Sequence, residues 1–345
     1  MDAGKDSTLL LAHKIAGKQI VASELICDGI DYFKRISAEV PELVKREGHE
    51  YLKGKKPSVA GNAVFLGLMS FFLLFHLIYG FYNKHRWFAV SWTIGLALEF
   101  VGYLGRILLH GQMSSFNYYV MQMVGLTIAP CFLMAGIYYL LAQVTTVVSP
   151  RLSLLRPNQY TFVFIGCDVL AILLQSAGGG LSSSNAGNSY QTGKSILIAG
   201  LIVQVVSMFF FQLCWYSFIF RWRREHNRHG DAHFVPEYAA VRQRNIFTIF
   251  PYLVSIAVLL IFIRSIYRIA ELFDGFDSNL ATNETIFFIF ESAMMTGACL
   301  ILTIDHPATA YGGLVKIDHS MKAVFSMANQ EADLLRKEES EIRIL

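Results

Sequence analysis

From residue 59 to 311 the apolar residues of this chain do not alternate with polar ones but fill long runs broken by short charged stretches. Runs of 18 or more match the thickness of a bilayer when coiled as helix, and in lipid a helix satisfies its own backbone hydrogen bonds. The runs predict spans near 60–82, 87–109, 118–148, 159–177, 195–220, 246–271 and 284–304. The expected fold is all-α, a polytopic membrane protein with seven transmembrane helices. The third run is long enough to project beyond the bilayer and carries Pro130, which predicts a kink. Pro251 lies near the start of the sixth.

Three units follow from this pattern. Residues 1–58 form a charged leader in which Leu11, Ile15, Ile26, Ile30 and Phe33 recur at roughly helical spacing, as in an amphipathic helix lying on a surface. No signal peptide is expected, because Lys14, Lys18 and Glu24 interrupt the early apolar stretch. Residues 59–311 hold the seven spans, and residues 312–345 form a polar tail.

Lysine and arginine counts set the orientation. The loops after spans one, three and five carry Lys84, Arg86, Arg151, Arg156, Arg221, Arg223, Arg224, Arg228, Arg242 and Arg244, whereas those after spans two, four and six carry only Lys194. The odd loops are expected in the cytosol, with the N-terminus outside and the tail inside. Lys53, Lys55 and Lys56 pull against this, but the three loops agree with one another. The basic stretch from Arg221 to Arg244 reads as a topology signal attracted to anionic lipid. The sequon Asn283-Glu284-Thr285 would face outside but abuts span seven.

Composition agrees with a membrane class: 54% hydrophobic, 16% charged, mean hydropathy +0.43. A net charge of +3 gives no footprint for nucleic acid. The five cysteines are far apart and four lie in spans, which argues against a disulfide framework or a CxxC metal site. His76, His110 and His306 are scattered. The lone His76 on an apolar helix reads as a hydrogen-bonded core residue before it reads as a haem ligand, and no cofactor is expected. No GxSxG elbow or metal-ligand motif supports an enzyme.

The informative polar residues are the charges inside the spans: Glu99, Arg106, Asp168, Arg264, Arg268, Glu271 and Glu291. Each unpaired charge at a helix centre costs roughly 2.5–3.5 kcal/mol, so they must pair or meet water. Glu99, Tyr103 and Arg106 share one helix face, as do Arg264, Arg268 and Glu271; Asp168 and Gln175 share another. Gly102 and Gly105 predict a close helix approach. Depth places Glu99 and Asp168 near mid-membrane and Arg106, Gln175, Arg264, Arg268, Glu271 and Glu291 in the outer half. The expected site is a polar vestibule opening outward between spans two, four, six and seven, with Gly178-Gly179-Gly180 at its rim where a helix ends. A buried ion network that fixes helix register is the competing reading. Four carboxylates against three arginines leave one carboxylate for a proton or a cationic ligand.

Several segments resemble the RTA-like family of fungal seven-helix proteins, also called lipid-translocating exporters. These are Pro57-Ser58-Val59-Ala60-Gly61-Asn62, Glu99-Phe100-Val101-Gly102-Tyr103-Leu104-Gly105-Arg106, Ala129-Pro130, Ala135-Gly136-Ile137-Tyr138, Asp168, Gln175-Ser176-Ala177-Gly178-Gly179-Gly180, Arg264-Ser265-Ile266-Tyr267-Arg268-Ile269-Ala270-Glu271, Glu284 and His306-Pro307. Gln143 stands where the family tends to have Arg, and Glu291 where it tends to have Asp. The resemblance implies a fungal multi-pass protein of the plasma membrane, or alternatively an endomembrane, that handles membrane lipids. It implies a translocator of sphingoid long-chain bases or other cationic amphiphiles toward the outer leaflet, linked to resistance to toxic amphiphiles. The amine would meet Glu99, Asp168 or Glu291, while Arg106, Arg264 and Arg268 hold the carboxylates ionised or bind a phosphate head group. A seven-helix lipid receptor or sensor regulating lipid asymmetry is the alternative, an intramembrane enzyme has the least support, and self-association is left open.

Overall fold

A computed structural model of the chain describes residues 52, 55–83, 86–149, 152–153, 157–182, 187–230, 234, 238–273 and 279–311. The tail, most of the leader, and Lys84, Arg151, Arg156, Asp274 and Asp277 lie outside the described residues. The described residues form helices and connecting turns, with no strand. Seven helices are long and apolar enough to cross a membrane: α1 (Val59–Tyr82), α2 (Arg86–Gly111), α3 (Phe116–Val148), α4 (Pro157–Ser182), α5 (Gly187–His229), α6 (Asn245–Phe273) and α7. The last, α7, is built from Glu284–Phe287, a π-helical turn Phe288–Ala293 and Met294–Ile304, and the short helix Pro307–Tyr311 follows it.

Consecutive spans pack side by side, α7 returns to α1, and α3 also touches α5 and α6. Thus α3 is the central helix, with every residue from 136 to 149 buried. The outer surface is apolar in the opposite sense from a soluble protein: Phe71, Ile78, Phe162, Leu173, Phe210 and Phe220 are exposed, as lipid contact requires. Small residues let α3 sit so deeply. A Cβ on Gly125 would stand 2.7 Å from the Leu98 carbonyl oxygen and 2.8 Å from the Gly102 nitrogen, so the backbones of α2 and α3 touch there. The close approach expected at Gly102 and Gly105 is present, against α3.

Two helices exceed their expected bounds. The glycine triplet does not end α4, which runs to Ser182, because Gly178 packs directly on the α5 backbone at Gly193 and Leu197 and the pair continues past it. At 43 residues, α5 is about 65 Å long at 1.5 Å per residue, twice the roughly 30 Å hydrocarbon core. Its extension stays helical because Trp222 packs on Phe247 and His226 on Phe234 while the arginines face solvent.

Candidate functional site

The spacing of Arg264, Arg268 and Glu271 places all three on the face of α6 that meets α3, and all are buried. Pro130 decides where Arg264 points. Proline has no N–H, so the Leu126 carbonyl four residues earlier loses its helical partner. One terminal nitrogen of Arg264 donates to that oxygen and to Glu291 Oε1, and lies 3.8 Å from Glu99 Oε1. One guanidinium therefore joins α6 to α2, α3 and α7. Glu291 sits inside the π-helical turn, a departure from α-geometry that recurs at functional sites. Glu99 is fully buried and neither of its carboxyl oxygens has a hydrogen-bond partner.

One turn along, Arg268 donates to Glu271 Oε2 at 2.6 Å and, from Nε and a terminal nitrogen, to Thr127 Oγ1 at 3.3 and 3.1 Å. Arg106 of α2 lies over the Phe287 ring, 3.7 Å from its centroid, a cation–π contact strengthened by exclusion of water.

Asp168 and Gln175 form a separate cluster. Asp168 faces Tyr138 of α3, whose hydroxyl also faces Ser207 of α5. It is 3% exposed and takes part in no ion pair among the described residues. Gln175 donates to Gln204 of α5 at 2.9 Å. Immediately beside Asp168, Val169 and Leu170 point outward. The expected single vestibule between spans two, four, six and seven is thus corrected. The ion network joins α2, α3, α6 and α7, it is closed over by packing, and α4 belongs to the second cluster because α3 stands between. Sequence reading missed the α3 contributors, Leu126 and Thr127; the available signal was a proline four residues after a carbonyl that then needs a donor.

A third constellation ties the first span to the last. The Ser58 amide donates to Glu284 Oε1 at 2.6 Å and the Asn62 side chain donates to the same oxygen at 3.2 Å. His110 at the end of α2 bonds the Pro57 carbonyl at 2.7 Å. Asn283, the sequon residue, caps the start of α7, accepting from the amides of Thr285 and Ile286. Toward the other end of the bundle, the supposedly scattered His76 and His306 lie 5.4 Å apart between ring centroids, with His76 Nε2 3.1 Å from Thr303 Oγ1. No cluster of three metal-ligating residues occurs among the described residues.

The basic loop is more structural than its charge suggested. Arg242 is buried and donates to the Val147 carbonyl at the end of α3, and Arg244 reaches the Ala310 carbonyl. Lys194 likewise bonds the Phe273 carbonyl at the end of α6. Each cation sits at a helix C-terminus, where carbonyls lack partners and the dipole is negative.

A family model described as RTA1 like protein matches residues 92–313, from α2 to the residues just past Tyr311. The chain belongs to the RTA1-like family. It is 34% identical over 284 residues to the sphingoid long-chain base transporter RSB1 of Saccharomyces cerevisiae, covering 75% of this chain and 74% of that protein. It is 31% identical over 208 residues to the yeast protoporphyrin uptake protein 1, covering 60% and 64% of the two chains. Protein RTM1 of the same organism is 28% identical over 211 residues, covering 61% and 64%. No solved structure matches. With seven apolar helices and these relatives, the chain is a multi-pass membrane protein. In this RTA1-like chain the Ser58–Asn62 segment meets Glu284, and the charged faces of α2 and α6 meet each other.

Proposed function

We propose that this protein translocates amphipathic lipids with a cationic head group, sphingoid long-chain bases above all, from the cytosolic toward the outer leaflet. The observation that carries the reading is Asp168, a buried carboxylate without an ion-pair partner, one residue from the lipid-facing surface of α4. An amine entering between α4 and α5 meets Asp168 while its alkyl chain stays in lipid. The similarity to a sphingoid long-chain base transporter supports the substrate class. The ion network of Glu99, Arg264, Arg268, Glu271 and Glu291, with Arg106 beside it, then serves as the rigid frame against which α4 and α5 move. The positive-inside bias supports an N-terminus outside and a C-terminus in the cytosol, in the plasma membrane. Export in this direction confers resistance to toxic amphiphiles.

The test is transbilayer movement of a fluorescent sphingoid base in liposomes holding the purified protein. Accelerated movement that is lost in Asp168→Asn, with a native thermal transition, supports the reading; equal rates with and without protein refute it. A lipid sensor is the second reading, favoured by the exposed arginines of the α5 extension, Arg221, Arg223, Arg224 and Arg228. Binding of the base without acceleration selects that reading.

A further inference from the structure

A cavity of about 160 Å3 opens where the chain leads into α1, beside the end of α2 and the start of α7, lined by Lys55, Lys56, Pro57, Arg106, Thr282 and Glu284. Its charge is unbalanced: three cations, Lys55, Lys56 and Arg106, face one carboxylate, Glu284, a net +2. That carboxylate is already engaged, one oxygen accepting from the Ser58 amide and the Asn62 side chain. Arg106 is 3% exposed, its Nε has no hydrogen-bond partner, and none of the ion pairs among the described residues includes it. The Phe287 ring covers one face of the guanidinium, and the residue lines the cavity. Lys56 is exposed and Lys55 makes only a long 3.5 Å bond to Thr282.

We propose that this cavity is a binding site for a phosphate monoester. A planar guanidinium fork held in place by an aromatic ring matches two phosphate oxygens, and two ammonium groups neutralise the second charge. The volume holds a phosphoryl group with several waters. The site lies at the helix ends, five residues before α2 finishes at Gly111 and at the first residue of α7. That is the level of lipid head groups, so the phosphate comes from a monoester lipid or from the aqueous phase. The inference is independent of transport, since it concerns occupancy of a cavity remote from Asp168.

Calorimetric titration of the purified full-length protein in detergent decides it, with dioctanoyl phosphatidic acid, dioctanoyl phosphatidylcholine and inorganic phosphate as separate probes. One-to-one binding of phosphatidic acid, weakened at least tenfold in Arg106→Lys and in Lys56→Glu, is the expected result. Lys56 is exposed, so its variant folds whatever Arg106→Lys does. Inorganic phosphate binding as tightly as phosphatidic acid supports a soluble ligand, and much weaker phosphate binding supports a lipid. The proposal is overturned if neither monoester nor phosphate binds, if phosphatidylcholine binds as well as phosphatidic acid, or if both variants bind like wild type.

Discussion

Pro130 and Arg264 share one carbonyl: the proline takes the helical donor away from Leu126, and the arginine supplies another from α6. A defect in one helix thereby becomes a contact between two. Removing Arg264 strands both that carbonyl and two carboxylates, so Arg264→Ala is expected to cost about 3–5 kcal/mol. Restoring the amide with Pro130→Ala returns a partner to Leu126. In a double-mutant cycle followed by thermal unfolding in detergent, Pro130→Ala should recover about 1 kcal/mol more in the Arg264→Ala background than in wild type. Strict additivity would show that the shared carbonyl does not couple the two residues.

The Glu284 clasp makes a second prediction. Glu284→Ala removes an acceptor of two hydrogen bonds, one from the Ser58 amide, and bonds to a charged group are worth about 1.5–3 kcal/mol each. The start of α1 should then open locally, seen as faster hydrogen exchange over residues 58–62 and faster tryptic cleavage after Lys55. Unchanged protection would assign the seam to apolar packing alone.

Two glycines nearby in sequence should behave oppositely. A Cβ on Gly178 runs into the α5 backbone at Leu197, whereas one on Gly180 meets nothing within 4 Å. Gly178→Ala is expected to destabilise by about 1–3 kcal/mol. Gly180→Ala should be neutral or stabilise by up to about 1 kcal/mol, since alanine favours helix. Melting temperatures of the two variants check this directly.

Asp168→Asn separates stability from activity. It removes a buried carboxylate that has no ion-pair partner while keeping a polar group toward Tyr138. The variant should melt at the same or a higher temperature yet move a sphingoid base at least tenfold more slowly, the trade expected of a functional group. Wild-type flux would remove Asp168 from the pathway.

The spans were legible because their signal is length and apolarity, which lipid imposes on each helix separately. The faces of α2 and α6 were legible as well, since i, i+4, i+7 spacing is local. Which faces meet was not. Asp168 and Glu99 each stand near the middle of an apolar run, so they read alike in sequence, and only the central placement of α3 separates them. The contacts of Leu126, Val147 and Phe273 use backbone oxygens, which carry no sequence label; Arg242 and Lys194, the cations on the last two, looked like topology signals when read alone. The π-helical turn around Glu291 was equally hidden, because six residues inside a nearly uniform apolar run give no polar stripe whose shift could be seen.

The α1–α7 seam has a consequence for biogenesis. A ribosome releases α1 first and α7 last of the seven spans, so Ser58 and Asn62 wait through the synthesis of five intervening helices before Glu284 emerges. Until then α1 is held by lipid and by its packing on α2, and the ring is open. Closure is thus the closing event of assembly, and a nascent chain stalled before α7 presents an unlatched first helix to the quality-control machinery of its membrane.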